Sequence, residues 1–202
     1  LGAGCFEPHD SGLTVFGREV VDEMNRLGMV IDLSHSGHKT AMDVVAYSKR
    51  PVTVTHANPS AWHQAPRNLH HDLLQALADT GGMVGFSLYP HHLKGGSDCS
   101  LSDFSQMVAD TVQTYGLNMF GIGSDLCQDQ PDSVVNWMRN GHWRKTPASL
   151  VEFPNSTGWF CDNRNFMGLA AGLGAVGLPA EPVSGILGAN WMEFWDKAFK
   201  PS

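Results

Sequence analysis

The chain has 202 residues, of which 42% are hydrophobic and 16% are charged, and its formal net charge is −7. This composition is typical of a globular protein with enough length for one well-filled core, and it excludes an intrinsically disordered chain. The acidic balance and the lack of a Lys/Arg run argue against nucleic acid as a partner. Ten histidines are many for this length, which raises the prospect of metal or proton chemistry.

Helices and short apolar strands alternate along the first 125 residues. Gly28 is predicted to end the first helix, and Ser102 is a candidate N-cap of the fourth. The strands are largely continuous apolar runs, which is typical of parallel strands covered on both faces. In chain order the sequence predicts helix 16–27, strand 29–35, helix 38–49, strand 51–56, helix 69–82, strand 83–89, helix 101–116 and strand 118–125.

The pattern loosens after residue 125. A loop with a short helix is predicted over 127–147, followed by helices over 162–177 and 181–199. No linker or repeat divides the chain, so a single domain over 1–202 is expected. The tryptophans of this region are interpreted as packing anchors: Trp137, Trp143, Trp159, Trp191 and Trp195.

Cellular location and disulfide content follow from what the sequence lacks. No run of about 18 apolar residues occurs, so no membrane span is predicted. No signal peptide is recognisable, and a cytoplasmic location is the expectation, although Leu1 reads as the middle of a loop and the natural N-terminus is expected upstream. The cysteines form no CxxC pair, so neither a cysteine-ligated zinc nor a disulfide framework is expected from Cys5, Cys99, Cys127 and Cys161.

A polar side chain closes each of the four predicted strands: His35, His56, Tyr89 and Asp125. The carboxyl ends of parallel strands face one pocket, both in barrels and in open sheets. Two histidines on consecutive strands suit one divalent ion, and Asp125 could ligate the ion or act as a base. Arg67, in the loop after the second strand, offers a planar fork to a carboxylate.

Each of these residues also has an ordinary structural explanation. A single strand-end histidine is more often a satisfied polar group than a ligand, and Arg67 alone could form a structural ion pair. Asp32 lies inside the first strand, on the face opposite His35, and is interpreted as a hydrogen-bonded structural acid. Mostly solvated roles are expected for the histidines on helices and loops: His38, His63, His70, His71, His91 and His92, the last two near the same rim.

Five segments follow one another along the chain: “GLTVFGREVVDEMNRLGMVIDLSHSG”, “PVTVTHANPSAWHQAPRNL”, “GGMVGFSLYP”, “FGIGSD” and “ILGANWMEFW”. Together, in this order, they resemble the renal (membrane) dipeptidase family, the M19 metallopeptidases. The resemblance runs from about Gly12 to Phe199 and covers nearly the whole chain. It implies an α/β fold, a (β/α)8 TIM barrel of the metal-dependent hydrolase type, with a two-zinc site.

The resemblance also implies roles for individual residues. His35 and His56 match the two histidines that hold the second zinc, and Arg67 matches the arginine that grips the substrate's C-terminal carboxylate. Asp125 matches the acid that handles the proton during attack by the metal-bridging hydroxide, and Tyr89 matches a tyrosine near the substrate pocket. The implied activity is zinc-dependent hydrolysis of the amide bond of dipeptides that carry a free C-terminal carboxylate.

The departures from the family pattern concern the other half of the site. The HxD pair of the first zinc, the glutamate that bridges both metals and the following strand histidine are absent. Four βα units cannot close an eight-stranded barrel, which usually needs about 250 residues. The chain therefore reads as strands five to eight plus terminal helices. It would hold at most a partial zinc site, inactive by itself, and would need the N-terminal half of the barrel as a partner or as its own continuation.

Some alternatives stay open from the sequence alone. Another metal-dependent barrel amidohydrolase would act on cyclic amides or esters, although no strand ends in the lysine that such a site would use. A non-catalytic half-domain would explain the missing ligands, but not the joint presence of four site residues. A homodimer is an open assembly, and Asn190 matches a terminal GxN pattern for which a structural role is expected.

Overall fold

The computed structural model describes residues 1–126, 131, 133–134 and 154–199. The helices are α1 (Val15–Leu27), α2 (His38–Tyr47), α3 (His71–Asp79), α4 (Leu101–Tyr115), α5 (Phe166–Ala175), α6 (Ala180–Ser184) and α7 (Asn190–Ala198), and the strands are β1 (Thr53–Val54), β2 (Met83–Ser87) and β3 (Phe120–Gly123). The predicted loop and short helix over 127–147, with Trp137 and Trp143, lie outside the described residues apart from three exposed positions. In the described ranges, no helix has the length and apolarity to cross a membrane.

The strands form one parallel sheet in the order β1–β2–β3, with Val54 opposite Val84 and Val84 opposite Phe120. The predicted first strand, 29–35, makes only one bridge, between Asp32 and Thr53. Its pairing stops there because the N–H of Thr55 donates to the Asp32 carboxylate, 3.0 Å away, instead of continuing the backbone ladder. The alternating order of helices and parallel strands is nevertheless the predicted one.

One face of the sheet carries the main core. Because successive strand residues point to opposite faces, Phe86 and Phe120 lie on the same side, and their rings stack at 4.9 Å. Phe104 of α4 meets the Phe86 ring edge-on at 6.4 Å, and all three phenylalanines are fully buried. Aromatic burial of this kind fixes α4 against the sheet.

Helix ends follow local chemistry, with one correction to the sequence prediction. Gly28 ends α1 in the left-handed conformation (φ 70°), as predicted. The N-cap of α4 is Ser100, not Ser102, because the Ser100 side chain accepts a hydrogen bond from the Asp103 N–H at 3.0 Å. The single helix predicted over 181–199 is divided into α6 and α7 by a kink at Gly188.

The terminal helix α7 packs on the opposite face of the sheet, near the start of the strands. Its Phe194 and Ala198 form a small cluster with Met83 of β2. Asn190 donates from Nδ2 to the carbonyls of Leu117 and Phe120, at 2.9 and 2.8 Å, which is a structural role of the kind expected for it. Trp191 donates from Nε1 to the Ile122 carbonyl at 3.0 Å.

Candidate active site at the carboxyl ends of the strands

Four of the five predicted site residues come together beyond the carboxyl ends of the strands. The Nε2 atoms of His35 and His56 are 3.3 Å apart, and His56 Nε2 lies 3.9 Å from Asp125 Oδ2. Arg67 donates from Nη2 to the His56 carbonyl at 3.3 Å. Tyr89 stands further out, with its ring centroid 5.2 Å from that of His92.

The backbone is strained at two of these residues. His35 (φ 69°) and Asp125 (φ 52°) are the non-glycine residues with positive φ in the part of the chain that the structure describes. A side chain in this region costs of order 1 kcal/mol or more, and such outliers cluster at functional sites. The left-handed turn at His35 also explains how its side chain leaves the alternating pattern of the strand and reaches His56.

The histidine pair has the spacing of two ligands on one metal ion. Two nitrogens at about 2.0–2.1 Å from a tetrahedral zinc lie roughly 3.3–3.4 Å apart, which matches the separation of the two Nε2 atoms. Burial lowers the pKa of both imidazoles, and the charge of Arg67 adds to this effect. Both rings therefore tend toward the neutral form that coordinates metals. Within 1–126 and 154–199, no group of three or more His, Cys, Asp or Glu side chains is arranged to hold an ion, so the pair supplies only part of a ligand set.

A hydrogen-bond chain behind His56 orients this pair. Thr55 Oγ1 lies 2.7 Å from Asp32 Oδ2 and 2.9 Å from His56 Nδ1. An ionised carboxylate only accepts, so the Thr55 hydroxyl donates to Asp32 and its oxygen accepts the His56 Nδ1–H. This arrangement leaves the lone pair of His56 on Nε2, facing His35. Asp32 is thus the hydrogen-bonded acid that the sequence predicted, and it acts on the site through Thr55.

The hydrogen bonds of Asp32 should make the free energy of unfolding depend on pH. Burial raises the pKa of the Asp32 carboxyl, but hydrogen bonds from Thr55 and Ser34 outweigh burial and hold it below the usual value. The contribution is therefore present above about pH 4, the ordinary pKa of Asp, and is lost as the pH falls further. We expect Asp32→Asn to lower the urea midpoint at pH 7 and to flatten its fall between about pH 5 and 3. Thr55→Val should flatten it too, and a slope equal to that of the unmodified protein would contradict this role of Asp32.

Two glycines that the sequence analysis missed make room for the turn that carries His56. A Cβ atom at Gly85 or Gly123 would overlap the backbone carbonyl of Thr55. Only glycine lets these strands approach Thr55 so closely. The signal available in the sequence was the presence of glycine inside the apolar strands “MVGFS” and “FGIG”.

Arg67 is a buried cation. It is 6% exposed, and burial lowers the pKa of its guanidinium. No ion pair of the described residues includes it; its side chain is hydrogen-bonded to the Cys5 thiol, and Asp125, the next group in electrostatic influence, has its carboxylate 3.9 Å from His56 Nε2. A buried charge without a counter-charge is costly, so the position favours an anionic ligand.

His92 is the main correction to the expected roles of the other histidines. The sequence placed it among mostly solvated histidines, whereas it is 3% exposed. Its backbone carbonyl accepts hydrogen bonds from Nδ2 of Asn58 and of Asn68, at 3.1 and 3.0 Å. Asn58 also exchanges two hydrogen bonds with the backbone of Ser87. These buried amides connect the loop of Arg67 to the turn after β2.

A parallel α/β sheet with a histidine pair and an acid at its carboxyl rim is an arrangement typical of metallo-hydrolases. The comparisons with known proteins agree with this class. The family model for membrane dipeptidase, peptidase family M19, matches residues 2–139, and the chain belongs to this family. Membership implies dependence on a metal ion.

Three relatives show the extent of the match. An uncharacterized dipeptidase of Schizosaccharomyces pombe is 36% identical over 190 residues, which are 93% of this chain and 40% of that protein. An amidohydrolase structure from Pseudomonas aeruginosa is 33% identical, with a TM-score of 0.88 over 98% of this chain and 61% of that one. A Rhodobacter sphaeroides metallopeptidase, liganded with a phosphinate mimic of the dipeptide L-Ala-D-Ala, is 24% identical with a TM-score of 0.75 over 93% and 47% of the chains, and it supports the fold. The chain thus spans less than two thirds of each of these relatives, from 40% to 61% of their length.

Proposed function

We propose that the protein carrying this chain is a zinc-dependent dipeptidase that hydrolyses the amide bond of dipeptides with a free C-terminal carboxylate. The observation that carries the proposal is the buried Arg67, which has no ion-pair partner in the described ranges and lies against a histidine pair with metal-ligand spacing. A substrate carboxylate would supply the missing counter-charge. With its carboxylate held by Arg67, the dipeptide would present its scissile bond at a fixed position relative to the histidine pair.

Each residue of the site has its own role in the proposed hydrolysis. His35 and His56 would hold zinc through Nε2, with Asp32 and Thr55 keeping His56 in the required tautomer. Zinc, when bound, activates the attacking water and polarises the scissile carbonyl. Asp125 takes the proton from the attacking water and returns it to the leaving amine, because its carboxylate faces His56 at 3.9 Å.

Tyr89 would add an aromatic side chain to the substrate site. Its ring stands edge-on to the rings of His91 and His92, at 5.4 and 5.2 Å. It would contact the substrate rather than the metal.

The remaining zinc ligands would come from a segment that forms the other half of a (β/α)8 barrel, this chain being strands five to eight. The sheet has room for such a segment beside residues 29–33. In the described structure, no backbone hydrogen bond involves the N–H groups of Val30 and Asp32, on the side away from β1. The family's two-zinc site would then be complete only when both halves are present.

The test is metal content and hydrolysis by the natural full-length protein. We expect two zinc ions and cleavage of L-Ala-L-Ala, with much weaker cleavage of its C-terminal amide, which offers Arg67 no carboxylate. Equal cleavage of the two substrates would favour a general barrel amidohydrolase. A metal-free, inactive protein would favour a non-catalytic half-domain. Full activity of residues 1–202 alone would contradict the shared site.

Arg67→Lys in the full-length protein should raise KM at least tenfold and leave kcat within about threefold. Lysine keeps the charge but loses the two-pronged geometry that fits a carboxylate. Steady-state kinetics with L-Ala-L-Ala measure the effect. Arg26→Lys, an exposed arginine paired with Glu23 at 2.6 Å, is the matched control and should change neither constant. An unchanged KM in Arg67→Lys would remove Arg67 from carboxylate binding.

A further inference from the structure

His92 has one ring nitrogen engaged and one available. Its Nδ1 lies 2.7 Å from Ser87 Oγ, and no hydrogen bond of the described residues involves its Nε2. The ring neighbours two residues of the site, with its centroid 6.5 Å from that of His56 and 5.2 Å from that of Tyr89. The backbone of His92 is fixed by the two asparagine amides already described. The free nitrogen therefore belongs to a rigid group at the wall of the site.

The hydrogen bonds of Ser87 determine which nitrogen of His92 carries the proton. Ser87 Oγ accepts the N–H of Tyr89 at 3.2 Å. If His92 Nδ1 also donated to this oxygen, the Ser87 hydroxyl proton would have no acceptor among the described residues. Donation from Ser87 Oγ to Nδ1 satisfies every group, and it places the imidazole proton on Nε2. His92 is then an N–H donor beside the site.

The ring acts as a neutral donor. Burial and, next, the charge of Arg67 lower the pKa of His92 to about 3, so it carries no charge at neutral pH. A neutral donor can stand near Arg67 without repulsion, which a lysine or a second arginine could not. Arg67 spends one of its own N–H groups on the His56 carbonyl. Each oxygen of a carboxylate can accept two hydrogen bonds, so an anion bound by Arg67 can also accept one from a second donor.

We propose that His92 is a specificity-determining residue that donates its Nε2–H to the C-terminal carboxylate of the substrate, beside Arg67. The inference rests on the proposed dipeptidase function for the identity of the carboxylate. Two different donors would then bind the carboxylate: the charged Arg67 and the neutral His92. The pair demands an anion with two acceptor oxygens, and it excludes C-terminal amides more strongly than Arg67 could alone.

Two substitutions separate this role from a structural one. Glutamine places an amide N–H near the position of Nε2. The shorter asparagine side chain reaches only the position of Nδ1, where it can replace the hydrogen bond with Ser87. In the full-length protein we expect His92→Asn to raise KM for L-Ala-L-Ala about tenfold, with kcat within about twofold, and His92→Gln to recover most of the loss. Cleavage of the C-terminal amide should be the same in both variants. A fall in kcat with KM unchanged, or equal losses in the two variants, would overturn the assignment.

A second measurement uses the unmodified protein, so it requires neither catalysis nor a substitution. Long-range 1H–15N spectra of the unmodified, metal-free protein with 15N-labelled histidine should show the Nε2–H tautomer of His92. Its resonance should shift when L-Ala-L-Ala is added, but not when the dipeptide amide is added. An Nδ1–H tautomer, or the same shift with the amide, would overturn the inference. If the shift is seen and the metal-loaded enzyme cleaves no dipeptide, the proposed function fails and the carboxylate site stands.

Discussion

Asp125→Asn in the full-length protein is expected to lower kcat for dipeptide hydrolysis by about a hundred- to ten-thousandfold, the range that general acid–base groups contribute. The substitution removes the proton acceptor without changing side-chain size. Asparagine also tolerates the left-handed backbone at this position (φ 52°), so the turn after β3 should keep its shape. Because Asp125 faces His56 and does not hold the substrate carboxylate, KM should change little.

Measuring metal content distinguishes a role of Asp125 in proton transfer from a role in binding the metal. Zinc per protomer should be the same in Asp125→Asn and in the unmodified enzyme. Asp98→Asn, an exposed change of the same charge outside the site, is the matched control and should keep full kcat. A fall in kcat of less than about threefold would exclude Asp125 from proton transfer, and a parallel loss of zinc would make it a ligand instead.

Gly123→Ala should have the second largest effect, although the added methyl group has no chemistry of its own. Its Cβ would overlap the Thr55 carbonyl, which is backbone and cannot turn away. The strain should cost about 1–3 kcal/mol in the free energy of unfolding. The forced movement of Thr55 also displaces His56, and a 1 Å error in such a site lowers the rate about a hundredfold. Urea unfolding, zinc affinity and kcat/KM together measure these consequences.

Gly168→Ala is the control for this substitution. Gly168 is exposed in α5, and its added Cβ would meet no atom within 4 Å. Alanine there should be neutral or should stabilise the protein by up to about 1 kcal/mol, since glycine is the poorer helix former. If Gly123→Ala were as harmless as Gly168→Ala, the close approach of β3 to Thr55 would have no part in placing His56.

The order of elements and the rim of the site were predictable for a simple reason. Continuous apolar runs indicate buried parallel strands, and parallel strands put their carboxyl ends at one edge. The sequence alone therefore predicted that His35, His56 and Asp125 lie together. His35 and Asp125 each come within 4 Å of His56 through a left-handed turn, which hydrophobic periodicity does not encode.

Other features depended on tertiary contacts that local patterns do not contain. The strand predicted over 29–35 was too long because the Asp32 side chain takes the Thr55 N–H from the ladder. A mostly solvated role was expected for His92 because the residues that hold its backbone, Asn58 and Asn68, are distant in sequence. Serine at 100 and serine at 102 were equivalent in composition, and only the position of the Asp103 N–H chose between them.

The contacts of α7 with β3 have a consequence for the solubility of the protein. A sheet edge with free carbonyls is a template on which another molecule can pair its own strand and start an aggregate. On β3 those acceptors are Phe120 and Ile122, and side-chain donors from Asn190 and Trp191 already occupy them. In the isolated chain the terminal helix thereby shields this edge, and closure of the proposed barrel would require Asn190 and Trp191 to release these carbonyls to the first strand of the other half.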